Sequence, residues 1–201
     1  MAGIDSKPSS RPLLSDVPKV NMPTSAALVV AADTDIQEVV SLMNLAYRGS
    51  DNDSAGWSTR EKYLTGDRTS EKSLRDDLSA KPHASLLIWR EAGEPGLKGS
   101  VWIEPLDDDN WYLGSLAVNP ESQNSGLGKT LLSLAEDWIR ERGGRRVNMT
   151  VINVRETLIG WYGRRGYHDT GEREPFPYGD NRFGVPQRED LCFVKLAKDL
   201  A

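Results

Sequence analysis

Residues 123–129 read Gln-Asn-Ser-Gly-Leu-Gly-Lys, and they join two segments of different pattern. The preceding segment, Trp111 to Val118, is short and apolar, which is typical of a buried strand. The following segment, Leu127 to Arg142, places apolar residues three and four positions apart, which is typical of an amphipathic helix. A glycine-containing turn from a strand into a helix suits an anion, because the backbone can approach closely and the first helical N–H groups lack partners within the helix. The stretch therefore predicts a phosphate-binding turn.

Two common phosphate-binding motifs fail at defined positions of this stretch. A P-loop ends as Gly128-Lys129-Thr130 does, but Gln123 stands where its first glycine belongs. A dinucleotide-binding turn follows the pattern Gly-x-Gly-x-x-Gly, and Leu131 stands where its third glycine belongs. The sequence thus argues against a nucleotidase loop and against a dinucleotide site.

A third pattern, Gln/Arg-x-x-Gly-x-Gly/Ala, fits throughout, with Gln123, Gly126 and Gly128 at its fixed positions. Three neighbouring features accompany it in order: Ser115-Leu-Ala-Val-Asn-Pro120 before the turn, Asn153 after the next apolar run, and Tyr162-Gly-Arg-Arg-Gly-Tyr167 beyond it. Together these motifs resemble the GCN5-related N-acetyltransferase (GNAT) superfamily over residues 111–168. With the order of the predicted elements, the resemblance extends to residues 27–198.

The order of predicted elements indicates a mixed α/β fold. Strands are expected at 27–31, 84–90, 99–104, 111–118, 147–152, 167–172 and 191–196. Helices are expected from Asp33 or Thr34 and at 70–80, 127–142 and 155–164, and a capping-box pattern at 58–61 marks the start of a further short helix. Short turns join the second, third and fourth strands, which predicts an antiparallel meander, whereas the helix at 127–142 predicts a parallel pair. The expected fold is a mixed, mostly antiparallel central sheet flanked by helices, the acyl-CoA N-acyltransferase (GNAT) fold.

The resemblance implies acetyl-CoA as co-substrate and no metal. Backbone N–H groups of the glycine turn would hold the pyrophosphate, and the strand before the turn would pair with the pantetheine arm. Asn153 would bond the pantetheine or a backbone group. The implied cofactor-binding residues are Leu116, Ala117, Val118, Gln123, Asn124, Ser125, Gly126, Leu127, Gly128, Lys129 and Asn153.

Tyr162 is the expected general acid, because a phenol keeps its proton near neutral pH and can donate it to the departing thiolate. The family's strand carboxylate is missing from Tyr112-Leu-Gly-Ser115, so the general base stays open. Glu104, near the end of the preceding strand, is the nearest candidate in sequence, and a water chain is the alternative. We expect direct attack of a primary amine in a ternary complex; the alternative is a non-catalytic acyl-CoA-binding or regulatory module of the same fold.

The acceptor pocket is expected from two irregular segments, 47–68 and 174–189. Aromatic and charged residues of these segments are the expected substrate contacts: Tyr47, Trp57, Tyr178 and Asp180. Packing against the core is the alternative explanation for the aromatic side chains. The sequence leaves the acceptor open among a polyamine, an amino acid, an aminoglycoside, a peptide N-terminus and a lysine side chain.

Composition bounds the remaining expectations. The chain has 201 residues, a formal net charge of −5 and a single cysteine, Cys192, so neither a nucleic-acid partner nor an internal disulfide is expected. The acidic balance is compatible with a cationic amine. No apolar run approaches about 18 residues and the start lacks a signal-peptide pattern, which predicts a cytoplasmic protein without a membrane partner. Residues 1–25, rich in Ser and Pro, are expected to be a flexible arm before one domain at 26–201, and a homodimer is one open alternative.

Overall fold

The computed structural model describes residues 28–49, 63–91, 96–120, 126–180 and 184–200. The predicted arm at 1–25 and the predicted helix start at 58–61 lie outside these ranges. Within them the strands are β1 Leu28–Val30, β2 Leu64–Thr65, β3 Ser85–Trp89, β4 Gly99–Pro105, β5 Asn110–Val118, β6 Arg146–Ile152, β7 His168–Pro175, β8 Val185–Pro186 and β9 Cys192–Asp199. The α-helices are α1 Ile36–Arg48, α2 Glu71–Ala80, α3 Leu127–Arg140 and α4 Glu156–Gly163. No helix in the described ranges is long and apolar enough to cross a membrane.

The central sheet has seven strands in the order β1-β3-β4-β5-β6-β9-β7. Strands β3, β4 and β5 form the predicted antiparallel meander, and β5 pairs with β6 in parallel. The last strand, β9, lies between β6 and β7 and is antiparallel to both. The prediction of a mixed, mostly antiparallel sheet flanked by helices is confirmed.

Strands β5 and β6 separate soon after they begin. Their pairing runs from Asn110 opposite Arg146 to Tyr112 opposite Asn148 and stops there, although both strands continue. On its other side β5 stays paired with β4, apart from a register shift in β4 between Ser100 and Trp102. Ser115 lies at this irregularity with a φ of 48°, a left-handed conformation that marks a β-bulge. The carboxyl half of β5 therefore borders an opening in the sheet.

Two apolar layers hold this opening in place. On one face, α3 buries Leu131, Ala135 and Ile139 against β-strand residues such as Val147. On the other face, α1 buries Val39 and its neighbours against β3 and β4. The alternation of β6, with Val147, Met149 and Val151 buried, gives the sheet a clear inner face. Helices thus pack on both faces of the sheet beside this opening.

The structure differs locally from the predicted elements at three places, and two of these differences have a simple cause. The first α-helix begins at Ile36 because Asp33–Asp35 forms a 3₁₀ turn, whose Asp35 carboxylate accepts from the Ala32 N–H at 2.8 Å. Helix α3 ends at Arg140, two residues earlier than expected. The short pair of β2 and β8 was not predicted, because two-residue strands carry no periodic signal. By contrast, α2 begins where expected, with Ser70 Oγ accepting from the Ser73 N–H at 3.1 Å.

Candidate active site

A first cavity of about 460 Å³ opens where β5 leaves β6. Its walls come from the end of α1, the end of β5, the start of α3 and helix α4. The lining residues are Ala46, Tyr47, Leu116, Ala117, Val118, Gly126, Leu127, Gly128, Lys129, Arg155, Leu158, Trp161, Tyr162 and Arg165. The structure therefore brings together seven of the predicted cofactor-binding residues, 116–118 and 126–129. Gln123, Asn124 and Ser125 lie outside the described residues.

The start of α3 presents backbone N–H groups to the first cavity. Gly126 precedes the helix with a φ of 83°, a left-handed conformation that glycine adopts without strain. The Gly126 carbonyl accepts the N–H of Thr130 at 3.1 Å, so the N–H groups of residues 127–129 precede the first helical hydrogen bond. A Cβ at Gly128 would lie 3.6 Å from the Trp161 ring, so helix α4 closes over this end of α3. The geometry suits an anion held between the two helices.

Three cationic side chains line the first cavity: Lys129, Arg155 and Arg165. The Arg165 guanidinium lies 3.5 Å from the centroid of the Trp161 ring, and its Nη1 donates to the Trp161 carbonyl at 2.7 Å. Its Nε is buried without a hydrogen-bond partner among the described residues. Burial, and next the charge of Arg164, lower the pKa of Arg165. A buried donor of this kind favours an acidic or carbonyl ligand in the cavity.

A second cavity of about 300 Å³ shares part of its lining with the first and includes residues of both β5 and β6. It draws on α1, the segment before α2, the middle of β5, β6, β7 and β9. The lining residues are Tyr47, Arg48, Tyr63, Leu64, Arg68, Tyr112, Leu113, Gly114, Ser115, Leu116, Met149, Thr150, Val151, Ile152, Arg155, Leu158, Tyr162, Glu174, Phe176 and Phe193. Both irregular segments that were expected to build an acceptor pocket contribute to this lining.

The two cavities meet at Tyr162, which lines both of them together with Tyr47, Leu116, Arg155 and Leu158. The Tyr47 hydroxyl donates to the Leu116 carbonyl at 3.2 Å and ties α1 to the bulged part of β5. Tyr162 is 7% exposed, and its hydroxyl has no hydrogen-bond partner among the described residues. Burial, and next its neighbour Tyr47, raise the pKa of the Tyr162 phenol, so it keeps its proton throughout the neutral range.

The ring of Tyr162 packs against two aromatic side chains, and one of them belongs to a buried hydrogen-bond network. Its centroid lies 5.0 Å from that of Trp161 and 5.6 Å from that of Tyr167, both in edge-on contact. The Tyr167 hydroxyl donates to Glu136 Oε1 at 2.9 Å, and Lys198 Nζ donates to Oε2 of the same carboxylate at 2.7 Å. Burial, and next the Glu136 charge, raise the pKa of Tyr167. The network joins α3 and β9 beneath the junction of the cavities.

Several residues named from the sequence lie apart from both cavities. Glu104 accepts from Lys81 Nζ at 2.7 Å and from Trp102 Nε1 at 3.3 Å, and it lines neither cavity. Its role as base stays a prediction without geometric support.

The remaining named residues contact the backbone or lie elsewhere. Asn153 donates to the Asp190 carbonyl at 2.9 Å and accepts from the Cys192 N–H at 3.1 Å, so it bonds backbone groups, one of its two expected roles. The hydroxyl of the exposed Tyr178 accepts from the Leu191 N–H at 2.8 Å. Neither Tyr178 nor Asp180 is in the lining of the first or the second cavity, and Trp57 lies outside the described residues.

The sequence reasoning missed the charged residues of the cavities: Arg48, Arg68, Arg155, Arg165 and Glu174. Arg155 and Arg165 flank the predicted helix at its two ends, which was a usable signal, since side chains at helix ends often meet ligands near a motif. Arg48, Arg68 and Glu174 are distant in sequence and gave no signal. No group of three or more metal-ligating residues occurs within the described ranges.

Comparisons with known proteins show which family this chain matches. The family model described as "Acetyltransferase (GNAT) family" matches residues 38–167, more than half of the chain. A Bacillus subtilis (strain 168) protein, named as a candidate ribosomal protein bS18-alanine N-acetyltransferase, is 28% identical over 109 residues, which are 54% of this chain and 70% of that protein.

Solved structures share the fold. The ribosomal-protein-S18-alanine N-acetyltransferase of Escherichia coli superimposes with a TM-score of 0.61 at 15% identity, covering 87% of this chain and 94% of that one. A GNAT acetyltransferase of Elizabethkingia anophelis, solved with acetyl-CoA bound, gives 0.50 at 18% identity over 64% of this chain and 83% of that one. The protein therefore belongs to the GNAT acetyltransferase family and is an acyltransferase enzyme.

Proposed function

We propose that this enzyme transfers an acetyl group from acetyl-CoA to a primary amine while both substrates are bound. The observation that carries the proposal is the meeting of two cavities at Tyr162, beside the half of β5 that is not paired with β6. A donor in the first cavity and an acceptor in the second would place their reacting groups at this junction. Family membership supports acetyl-CoA as the donor, because the family uses it and a related fold has been solved with it bound.

The lining of the first cavity fits the parts of acetyl-CoA. The N–H groups at the start of α3, with Lys129 and Arg165, supply donors and positive charge for the pyrophosphate. The backbone of Leu116 to Val118 lies beyond the last pairing of β5 with β6 and is an edge to which an extended amide chain can bond. The proposed contacts with acetyl-CoA therefore use mainly backbone groups of the protein.

The proposed reaction gives the protein three roles: removing a proton from the amine, stabilising the oxyanion and protonating the thiolate. The acceptor amine, after losing its extra proton, attacks the thioester carbon, so a C–N bond forms and the C–S bond breaks. A backbone N–H within residues 116–118 would stabilise the negative charge that develops on the thioester oxygen. Tyr162 would donate its proton to the departing thiolate and regain one from the solvent, to which the amine releases its second proton.

The proton acceptor for the amine belongs to the second cavity. Glu174 is a carboxylate in the described part of its lining, and it is ion-paired with Lys195 at 3.1 Å. We propose that Glu174, directly or through water, takes the proton that the ammonium form must lose. The names of the two ribosomal-protein acetyltransferases add a peptide that begins with alanine to the acceptors that should be tested.

Two measurements on the full chain test the proposed function. Thermal unfolding should shift upward by about 5–10 °C at acetyl-CoA concentrations near a hundred times Kd, and ATP with magnesium should give no shift. Release of free thiol from acetyl-CoA should then depend on an added primary amine, tested across amino acids, polyamines, aminoglycosides and alanine-first peptides. Stabilisation by acetyl-CoA without thiol release from any amine would instead identify a non-catalytic acyl-CoA-binding module.

A further inference from the structure

One end of the second cavity lies where β5 and β6 meet. The two strands pair up to Tyr112 opposite Asn148 and separate beyond this pair, so the space between them is a wedge. The cavity lining includes residues 112–116 of β5 and residues 149–152 of β6, and the structure describes both strands without a gap. Side chains at the narrow end of the wedge therefore set how far the cavity extends between the strands.

The ring of Tyr112 lies over Gly114, which is two residues further along β5 and therefore on the same face of the strand. A Cβ at Gly114 would lie 2.6 Å from Cε1 of this ring and 2.9 Å from its hydroxyl oxygen, closer than Cβ atoms approach other heavy atoms in proteins. The φ of Gly114 is not left-handed, so the backbone does not require glycine at this position. The glycine instead leaves the space that the ring occupies.

The Tyr112 hydroxyl forms a hydrogen bond with Thr150 of β6, on the other side of the wedge. The two oxygens are 3.1 Å apart, and either can donate. Beyond Asn148 the backbones of β5 and β6 no longer pair, so this side-chain bond links the strands where the wedge begins to open. The ring also packs against the buried cluster that contains Val39 of α1. Gly114, Thr150 and this cluster thus hold the ring across the narrow end of the wedge.

We propose that Tyr112 limits the length of the amine acceptor, because its ring closes the end of the second cavity between β5 and β6. The inference rests on the proposed function in one respect, the assignment of the second cavity to the acceptor. An acceptor whose amine reacts beside Tyr162 and whose chain enters the wedge extends as far as the Tyr112 ring and no further. The acceptor class is therefore a primary amine on a short chain, since a longer chain must displace either its own amine from Tyr162 or the ring from the wedge.

Linear primary amines measure this limit, because the members of the series differ in length alone. The first experiment determines kcat/KM for each amine from propylamine to decylamine, with the full-length enzyme and acetyl-CoA. In the wild type we expect kcat/KM to rise about fourfold for each methylene group that the cavity buries, and to fall by about tenfold or more beyond a limiting length. A wild-type kcat/KM that shows no limit up to decylamine would overturn the proposal.

Removal of the ring should lengthen the acceptor that the enzyme accepts. Tyr112→Ala is expected to move the limiting length upward by about two to four carbons, because the missing phenol leaves space in the wedge. An unchanged limit in this variant contradicts the proposal. A single cooperative thermal transition verifies that the variant is folded. If Tyr112→Ala does not fold, Tyr112→Leu takes its place, and since leucine fills part of the space, we expect an increase of about one or two carbons.

Three further variants test whether the position of the ring sets the limit. Tyr112→Phe removes the bond to Thr150 but keeps the ring over Gly114, so it should keep the wild-type limit. Gly114→Ala keeps the tyrosine but displaces its ring, so it should lose the wild-type limit. Gly163→Ala is the matched control, because a Cβ at Gly163 in α4 meets nothing within 4 Å, and its limit should equal that of the wild type. A wild-type limit in Gly114→Ala, or a shift in Tyr112→Phe as large as in Tyr112→Ala, would show that the ring does not set the length.

A binding measurement separates this inference from the proposed catalysis. Calorimetry with CoA-loaded enzyme measures the Kd of the N-alkylacetamides that correspond to the same amines. Binding that tightens up to a limiting length, with a longer limit in Tyr112→Ala, supports the inference even if no amine is turned over, in which case only the catalytic proposal fails. Turnover with the same limit in the wild type and Tyr112→Ala contradicts the inference and leaves the proposed function in place. Neither turnover nor binding at any chain length contradicts the inference as well as the assignment of the second cavity to the acceptor.

Discussion

The two cavities are built in different ways. Half of the described lining of the first comes from two short contiguous segments, residues 116–118 and 126–129. The second gathers side chains from α1, the segment before α2, β5, β6, β7 and β9, which are far apart in sequence. Backbone groups keep their positions when side chains change, whereas an assembled set of side chains changes with each substitution. If the first cavity binds the donor and the second the acceptor, as proposed, substitutions in the second cavity would change the acceptor without altering the backbone that binds the donor.

Their shared wall is where chemistry would occur, and Tyr162 is its central residue. We expect Tyr162→Phe to lower kcat by about 100- to 1000-fold, the range for loss of a positioned general acid, with the KM for acetyl-CoA changed by less than about threefold. Steady-state kinetics with the best amine of the panel measures both. Because burial raises the pKa of Tyr162, its ionisation should cause no loss of kcat below about pH 10.

Tyr178→Phe is the matched control for this prediction. It removes a phenolic hydroxyl that accepts from the Leu191 N–H and lines neither cavity, so kcat should stay within about twofold of the wild type. If Tyr162→Phe keeps the wild-type kcat, the thiolate takes its proton from another source. If Tyr178→Phe shows the larger loss, the junction of the cavities is not where the reaction occurs.

The wall beneath Tyr162 depends on the buried network of Glu136, Tyr167 and Lys198. We expect Glu136→Gln to lower the free energy of unfolding by about 2–3 kcal/mol, because Lys198 loses its carboxylate and the Tyr167 hydroxyl loses a charged acceptor. Denaturant unfolding measures the change. Glu141→Gln, one turn further along the chain and solvent-exposed beside Arg142, should cost less than about 0.5 kcal/mol. Equal losses in the two variants would show that the network adds nothing beyond a surface ion pair.

The same difference between local and assembled structure explains which parts of the fold could be predicted from the sequence. The strands and the helix around 111–152 follow clear periods, so the local pattern was enough to predict the parallel pair and the helix that begins at Leu127, whereas the phosphate-binding role of the turn stays a prediction. The position of β9 between β6 and β7 depends on packing among distant segments, which no local pattern encodes.

The same limit applies to the candidate site. Gly126, Gly128 and Tyr162 could be named as candidates because recognisable motifs contain them, and all three line the first cavity. Arg68 and Glu174 could not, since each is an ordinary surface-type residue until the fold brings it to the second cavity. Glu104 was proposed from its distance along the chain, yet its carboxylate contacts Lys81 at the far end of β4. Proximity in sequence is a poor guide to side chains on neighbouring strands, because successive residues point to opposite faces.

The backbone character of the first cavity can be tested with one methyl group. Gly128→Ala places a Cβ at an ordinary contact distance, 3.6 Å from Trp161, within a helix where alanine is favoured by up to about 1 kcal/mol over glycine. We therefore expect a slightly more stable protein with an acetyl-CoA Kd raised by about tenfold, because the methyl group occupies space that the donor would use. Denaturant unfolding and calorimetry measure the two changes, which should have opposite signs.

Gly163→Ala is the matched control for Gly128→Ala. Gly163 is the last residue of α4, and a Cβ there meets nothing within 4 Å. Its stability should rise by a similar or smaller amount, with no change in the acetyl-CoA Kd. An unchanged Kd in Gly128→Ala as well would mean that the donor does not approach the start of α3.

The smallest expected effect concerns Tyr47, which lines both cavities. Tyr47→Phe removes the hydrogen bond to the Leu116 carbonyl but keeps the ring, whose centroid lies 5.4 Å from the Arg68 guanidinium carbon. A neutral hydrogen bond contributes about 0.5–1.5 kcal/mol, so we expect kcat/KM to fall by about two- to tenfold for acetyl-CoA and for the amine together. Tyr63→Phe, which alters the second cavity alone, should change kcat/KM for the amine only. A change confined to one substrate in Tyr47→Phe would show that the bulge of β5 serves that cavity alone and that the two sites share less structure than their common lining indicates.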